Sequence, residues 1–180
     1  ITIEGRSLTI FRISSTLPAK REAASESLSR EKRGLYLATS HHIESEHPEI
    51  EKVSQDAVKG ATTPVEKIER LVRWVSTEVK DEAVDSFSAV EVLHTRMGEC
   101  QAHAMLYAAM ARAAGIPTRL AGGIVYMEGM GFLYHSWAES YADGWIAVDP
   151  TFNQVGVDAT HIKLVEGRDW VSLLQLGKIV

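Results

Sequence analysis

The chain has 180 residues, a length that suits one domain with a single hydrophobic core. With 19 Lys and Arg against 24 Asp and Glu, its net charge is −5, which does not favour nucleic acid or an anionic membrane surface as a partner. Hydrophobic residues make up 45% of the chain and charged residues 24%, so wholesale disorder is excluded. No apolar run approaches the ~20 residues of a transmembrane helix, and no membrane insertion is expected.

The first residues are predicted to form strands and a linker. Residues 1–13 alternate in the manner of strands, with a turn near Gly5, and the polar and charged residues 14–33 are expected to form a surface helix or a linker. We interpret 1–34 as N-terminal strands and a linker that could end a preceding module, with the main domain over 35–180. The stretch 35–37 is expected to be a short extended piece. Because the chain begins with Ile and shows no signal-peptide pattern, we expect a processed product or a fragment.

Three amphipathic helices are predicted next. Pro48 suits the first turn of a helix that ends near Gly60. The second helix begins at Pro64, where Thr63 and Glu66 have the spacing of a capping box. Its apolar stripe consists of Val65, Ile68, Leu71, Val72, Val75 and Val79. A short third helix follows, with Ser88 and Glu91 in the same capping relation and with Val90 and Leu93 facing inward.

The second half of the chain is predicted to contain one buried helix followed by strands. From Cys100 to Ala114 the sequence is apolar around most of a helix circumference, which is typical of a central helix. The strands expected after Gly115 are Thr118–Tyr126, Leu133–Tyr141 and Trp145–Asp149. Further on, His161 is expected in a turn or at a strand start. Helices followed by an antiparallel sheet indicate the α+β class.

Cys100 is the only cysteine, so a disulfide within the chain and a four-thiolate zinc site are excluded. It lies at or near the start of the buried helix. The first N–H groups of a helix have no intrahelical partner, and the helix dipole is positive at that end. Both effects favour the thiolate, which is the form that attacks carbonyl groups. The alternative interpretation is a small buried apolar residue.

A thiolate nucleophile needs a base and a group that orients the base, and His135 and Asp149 are the candidates. Strand geometry tests whether they can meet. If residues 142–144 form a three-residue hairpin loop, Tyr141 pairs with Trp145. Asp149 then lies diagonally from His135 on the same face, about 7–8 Å away at the backbone. The glycine that ends this loop favours the three-residue form, whereas a two-residue loop would put the two side chains on opposite faces.

The segment from Arg96 to Phe152 resembles the core of the transglutaminase-like superfamily of papain-type cysteine enzymes, in its bacterial form. Several motifs carry the resemblance in the family's order: Gly98-Glu99-Cys100, Ala111–Arg119, His135-Ser136-Trp137-Ala138-Glu139, Gly144-Trp145 and Asp149-Pro150-Thr151. The resemblance implies a papain/transglutaminase-like α+β core, with the nucleophile helix packed on an antiparallel sheet. It implies Cys100 as the nucleophile, His135 as the base and Asp149 as the orienting acid. Residues 35–180 would then be the catalytic domain.

The reaction implied by the resemblance is acyl transfer at an amide bond through a thioester. The Cys100 backbone N–H would donate to the oxyanion, and water or an amine would resolve the thioester. Nothing in the sequence marks an amine-acceptor site, so we expect hydrolysis of a peptide or isopeptide, with protein cross-linking as an alternative. A non-catalytic binding or scaffold module is the rival from another class, although it would not need all three residues. A peptide or protein substrate is the expected partner, and no cofactor is expected.

A zinc-binding module that uses Cys100, His103 and His135 is a third possibility. It needs further ligands that the sequence does not place, so no metal is expected. We expect His103 to be a buried histidine at the cleft wall. Glu139 lies on the same strand face as His135 and is expected to make a structural hydrogen bond. The resemblance suggests a bacterial periplasmic or extracellular location, as part of a longer chain.

Overall fold

The computed structural model describes residues 27–84 and 88–173, together with the backbone of two short strands at 2–4 and 7–9. Most of the helices precede an antiparallel sheet, and the predicted α+β class is confirmed. Among the helices of these residues, none combines the length and the apolar character that crossing a membrane requires.

The described residues form six helices. They are α1 (Arg30–Leu37), α2 (Pro48–Ala57), α3 (Pro64–Glu78), α4 (Ala89–Thr95), α5 (Cys100–Ala113) and α6 (Trp170–Leu173). The predicted capping box of α3 is present, with Thr63 and Glu66 each bonded to the other's backbone N–H. Ser88 caps α4 by accepting a hydrogen bond from the N–H of Glu91. Inward-facing Leu93 is buried as predicted, whereas Val90 is only half-buried.

The extended structure predicted for residues 35–37 is wrong, because these residues form the last turn of α1. Ser29 caps the helix by accepting from the N–H of Lys32, and the helix continues through Gly34. A three-residue apolar run fits a strand or a helix equally well, so periodicity alone could not decide. The boundary placed at residue 34 falls inside this helix; the division into two units stays a prediction.

The strands form one main sheet and two short pairs. They are β1 (Thr2–Glu4), β2 (Ser7–Thr9), β3 (Lys80–Asp81), β4 (Met97–Gly98), β5 (Thr118–Met127), β6 (Gly131–Tyr141), β7 (Trp145–Asp149), β8 (Gln154–Val155) and β9 (His161–Gly167). The main sheet is antiparallel with the order β8-β7-β6-β5-β9. β1 pairs with β2 in antiparallel fashion, and β3 pairs with β4 in parallel. Within the predicted N-terminal strands and linker, residues 1, 5–6 and 10–26 lie outside the described residues.

The β6–β7 hairpin has the predicted register, since Tyr141 pairs with Trp145. Its loop therefore has three residues. The left-handed residue of the loop is Asp143, with φ of 56°, one position before the glycine that was expected to adopt this conformation. Gly144 has φ of 150°, which also favours glycine, so the predicted loop length is confirmed although the predicted left-handed position is wrong.

One face of the main sheet packs against α5 to form the hydrophobic core. Leu120, Ala138 and Val148 line this face and are fully buried. Most of α5 is buried as well, as its composition predicts. A buried polar contact crosses the layer, because the Tyr107 hydroxyl lies 2.8 Å from Oγ of Ser140. Helix α5 is thus held firmly beneath the sheet, which fixes the position of its first residue.

The opposite face of the sheet carries His135, Glu139 and Asp149, and the interior strand β5 has only small residues beside His135 and Trp137. Gly123 lies opposite His135 and Ala121 opposite Trp137. β9 pairs with the other edge of β5, with a register shift at Gly123. A Cβ on Gly123 would stand 2.0 Å from the carbonyl oxygen of Ile162, so only glycine fits. Long side chains of β6 and β9 can therefore approach each other over β5.

Candidate active site

Cys100 is the first residue of α5, as predicted, and is partly exposed. The N-cap residue Glu99 makes no side-chain capping bond, and the first turn contains no acidic side chain. The helix N-terminus thus offers N–H groups and a positive dipole end near the thiol, with no carboxylate in that turn to oppose a thiolate. The chain segment just before Cys100 is held by β4, where Gly98 pairs with Asp81 of β3.

His135 and Asp149 meet through a short hydrogen bond. Nε2 of His135 lies 2.6 Å from Oδ2 of Asp149, and both side chains are buried. The register of the hairpin explains this contact, because Ala138 pairs with Val148 and places Asp149 on the His135 side of the sheet. The parity argument from the hairpin loop is therefore correct. Since Nε2 is bonded to Asp149, Nδ1 is the ring nitrogen left for another partner.

The pKa of His135 is raised to about 9. Burial of the ring disfavours the charged form, but hydrogen bonds with Asp149 and Cys100, and the attraction of both groups, outweigh it. The structure thus couples the Cys100 thiol to the His135 ring. Burial would likewise raise the pKa of Asp149, but bonds from His135 and His161 and the charge of His135 hold that pKa well below its usual range. The arrangement favours an imidazolium at His135 beside the Asp149 carboxylate.

The Asp149 carboxylate is held on both oxygens. Its Oδ1 accepts from the backbone N–H groups of Thr151 and Phe152, at 2.8 and 3.2 Å. Its Oδ2 faces two histidine rings, since Nε2 of His161 lies 3.0 Å away in addition to His135. The Asp149-Pro150-Thr151 motif is thus a turn that pins the carboxylate. His161 was expected in a turn or at a strand start, and it begins β9, but its contact with Asp149 had no sequence signal.

Aromatic rings enclose the His135 imidazole. Phe152 stacks on it with ring centroids 4.8 Å apart and an interplanar angle of 10°. Trp137 lies nearly parallel to it at 6.1 Å, and His161 approaches edge-on at 5.6 Å. These apolar faces fix the plane of the imidazole and shield its bond with Asp149 from water.

His103 does not join this site. Its Nδ1 lies 3.0 Å from the carbonyl oxygen of Glu99, and its Nε2 lies 3.2 Å from that of Val79. The ring is buried and ties the segment before Cys100 to the end of α3. A zinc module built on Cys100 would need His103 beside His135. Within the described residues, one group of potential metal ligands lies close together. It consists of His135, Asp149 and His161, whose ligand atoms lie within 4.8 Å of one another.

Glu139 makes the structural contacts expected of it. It is 8% exposed and accepts from Nε of Arg119 at 2.7 Å and from Nζ of Lys163 at 2.9 Å. Glu166 bonds both cations as well. The Arg119 guanidinium also lies 4.0 Å over the Trp145 ring. This charged group occupies the same sheet face as His135 but has its own partners.

Solved structures of two bacterial proteins resemble the fold. A proposed cysteine protease from Cytophaga hutchinsonii superposes with a TM-score of 0.63 at 23% identity, covering 76% of this chain and 47% of that one. The periplasmic domain of TgpA from Pseudomonas aeruginosa superposes with a TM-score of 0.56 at 22% identity, covering 71% of this chain and 49% of the other. The chain thus spans about half the length of these relatives. Among curated proteins, none matches the chain.

The sequence itself matches a family model described as the transglutaminase-like superfamily over residues 51–150. This range includes Cys100, His135 and Asp149, and it covers more than half of the chain. The papain/transglutaminase-like core predicted from the motifs agrees with the solved structures that share the fold. By the extent of this match, the chain belongs to the transglutaminase-like superfamily.

Proposed function

We propose that this chain is a cysteine-dependent enzyme that acylates Cys100 with an amide substrate and hydrolyses the thioester. One observation carries the proposal: the buried His135 ring is bonded to Asp149 at 2.6 Å and interacts with Cys100. A raised pKa at His135 serves an enzyme that keeps an imidazolium beside a thiolate. The membership of a family whose enzymes are typically cysteine-dependent supports the same conclusion.

In the proposed acylation step, the Cys100 thiolate forms a bond to the carbonyl carbon of the amide. The electron pair moves to the carbonyl oxygen, and the Cys100 backbone N–H at the helix N-terminus donates to this oxyanion. The C–N bond then breaks, and His135 gives its Nδ1 proton to the departing amine. Asp149 keeps the other proton on Nε2 and balances the imidazolium charge until that transfer.

In the proposed deacylation step, neutral His135 takes a proton from water, whose oxygen attacks the thioester carbonyl. Collapse of the second oxyanion breaks the C–S bond and returns the thiolate beside imidazolium. If an amine replaces water, the same steps form a new amide and cross-link two molecules. We propose water as the acceptor and a peptide or isopeptide as the substrate.

The partner of the site is accordingly proposed to be a peptide or protein. A location outside the cytoplasm is proposed, and the periplasmic domain of similar fold supports it. Fractionation of cells that express the native gene product, followed by immunodetection, would test the location. Recovery of the protein only from the cytoplasmic fraction would contradict it.

Alkylation of Cys100 tests the proposal without a known substrate. The rate of reaction with iodoacetamide at pH 6 is measured by intact mass for the wild type and for His135→Ala. An ordinary thiol, with a pKa of ~8.5, is almost wholly protonated at this pH and reacts slowly. We expect much faster alkylation of the wild type than of the variant. Equal rates would contradict thiolate activation and favour the scaffold alternative.

Whether water or an amine resolves the thioester is tested with a library of peptide amides. The library is incubated with and without a primary amine, and the products are analysed by mass. Hydrolysis gives the free acid in both mixtures. A product that carries the amine would replace the proposed hydrolase with a cross-linking enzyme. Cys100→Ala is the control, because it lacks the nucleophile and must give neither product.

A further inference from the structure

His161 is a buried histidine that the proposed reaction steps do not use. Its side chain is 1% exposed, and its Nε2 lies 3.0 Å from Oδ2 of Asp149. The residue begins β9, outside the range 51–150 that matches the family model. It comes from β9, which β5 and β6 separate from the strand of Asp149, so this contact spans two strands of the sheet.

The His161 ring is fixed from several directions. Nδ1 lies 3.3 Å from Oγ1 of Thr160 and 3.6 Å from Oδ1 of Asp158. The ring packs edge-on against Trp137, with centroids 5.2 Å apart. Asp158 itself is held by the backbone N–H and hydroxyl of Thr160. A ring held in this way presents Nε2 to the carboxylate at a set angle and distance.

The contact completes the donor set of Asp149. Two backbone N–H groups bond Oδ1, and two imidazole nitrogens bond Oδ2. Asp149 is fully buried, and a buried carboxylate needs each of its acceptor positions satisfied. Without His161, one position on Oδ2 would be empty, and the oxygen that orients His135 would lose a support.

We propose that His161 is a positioning residue of this site: its Nε2–H bonds Oδ2 of Asp149 and fixes the carboxylate oxygen that orients His135. This inference rests on the proposed function, because it assigns a role relative to Asp149 and His135. His161 would touch neither the substrate nor the thiol. It acts through the carboxylate alone.

A metal ion bound by His135, Asp149 and His161 is the rival interpretation of this cluster. Ligand atoms held tetrahedrally at about 2.0–2.1 Å from zinc stand about 3.3 Å apart. Here Oδ2 of Asp149 lies 2.6 and 3.0 Å from the two nitrogens, which are the distances of hydrogen bonds. The geometry favours protons over an ion between these atoms.

The test compares four side chains at position 161 by the rate of Cys100 alkylation at pH 6. His161→Phe keeps a flat ring against Trp137 but has no N–H. His161→Gln keeps a donor that can reach Asp149, and His161→Met is its match in size without a donor. The loss of one hydrogen bond to a charged acceptor predicts a fall of about tenfold for Phe and Met, with Gln close to the wild type.

A second readout reports the His135–Asp149 bond directly. The downfield proton resonance of His135 Nε2–H is expected to shift or broaden in the Phe and Met variants and to persist in the Gln variant. If His161 acted only through packing, the Gln and Met variants would give the same result, because neither side chain replaces the ring. Thermal melts of all four proteins identify any variant that fails to fold. If Phe fails, the matched Gln and Met pair decides.

The outcomes separate this inference from the proposed function. If His135→Ala slows alkylation but all His161 variants react as the wild type, the positioning role is overturned and the proposed function stands. If His135→Ala also reacts as the wild type, the proposed function fails. Stoichiometric zinc in the purified protein, lost in His161→Gln, would replace the positioning role with a metal site.

Discussion

Two buried carboxylates on the same face of the sheet have hydrogen-bond partners of different kinds. Glu139 of β6 is neutralised by the cations Arg119 and Lys163, at 2.7 and 2.9 Å. Asp149 of β7 is bonded by two histidine rings, at 2.6 and 3.0 Å, and by backbone N–H groups. Arg and Lys side chains ordinarily keep their charge across the working range of most enzymes, whereas an imidazole can give up and regain a proton.

The difference shows which of the two centres can take part in proton transfer. Glu139 balances a fixed charge and ties β6 to β5 and β9. Asp149 stabilises a charge on His135 that comes and goes during the proposed reaction. A buried carboxylate is therefore a poor indicator of function by itself, and the residue types of its partners are informative. Substitutions at and around the two carboxylates test this contrast.

The largest expected effect concerns the nucleophile that Asp149 is proposed to serve. Cys100→Ala should abolish covalent acyl-enzyme formation, because no other cysteine exists in the chain. It should also lower the pKa of His135, since the Cys100 interaction helps to raise that pKa to about 9. Intact mass spectrometry and an NMR titration of His135 measure the two effects. A His135 pKa that stays near 9 in the variant would show that Asp149 alone raises it.

Asp149→Asn is expected to slow acylation by about 10²–10⁴-fold, by analogy with other hydrogen-bonded triads. The amide keeps the shape of the side chain but stabilises the wrong imidazole tautomer and cannot balance its charge. Single-turnover kinetics on a substrate from the peptide library measure the rate, and thermal melts check the fold. A nearly normal rate would mean that another group orients His135 and would remove the contrast with Glu139.

The acylation rate should also depend on pH through His135. Its pKa is raised from 6.5 to about 9, so above pH 9 the ring has lost the proton that the departing amine requires. We expect kcat/KM to fall about tenfold for each further pH unit. A profile that stays flat to pH 10 would contradict the assignment of His135 as the general acid.

Stability should depend on pH through the same two groups, in opposite directions. The raised pKa of His135 stabilises the fold fully below pH 6.5, and this contribution is lost as pH rises through about 9. The lowered pKa of Asp149 stabilises the fold above pH 3.8 and loses this contribution as pH falls below that value. Denaturant melts across pH should therefore show a loss above pH 6.5 that is reduced in His135→Ala.

The smallest expected effect on rate comes from Glu139→Gln. The variant should acylate at close to the wild-type rate, because the Glu139 carboxylate bonds Arg119 and Lys163 rather than His135 or Asp149. It should lose about 1–3 kcal/mol of unfolding free energy, the range for an impaired buried charged bond. Urea melts and single-turnover kinetics separate the two. A rate loss as large as that of Asp149→Asn would show that both carboxylates serve the reaction.

Much of this site could be predicted from the sequence, since its parts are local. Loop length fixes strand parity, so the 142–144 loop by itself predicts that His135 and Asp149 share one face of the sheet. The capping pattern at Thr63 and the apolar stretch after Cys100 likewise predict where α3 and α5 begin. These features depend on neighbouring residues or on adjacent strands.

The parts that could not be predicted depend on long-range pairing. His161 reaches Asp149 only because β9 pairs with the far edge of β5, and no spacing in the chain encodes that choice of edge. The small residues Gly123 and Ala121 make the crossing contact possible, but a strand glycine can equally mark a bulge or a bend. Glu139 was expected to have a partner, yet its cations Arg119 and Lys163 could not be identified before the strand order was known.

Because β9 comes late in the chain, the order of synthesis determines when the site around Asp149 is complete. A nascent chain that has emerged as far as Asp149 holds Cys100 and His135 but has an unpaired edge on β5 and only part of the donor set of Asp149. The strand translated last in the sheet, β9, then pairs with the first, β5, and brings His161 to Asp149. If His161 has the role proposed for it, Asp149 holds His135 fully in place only once β9 has joined the sheet. Cys100 in a partly translated chain is then a weaker nucleophile than in the complete sheet.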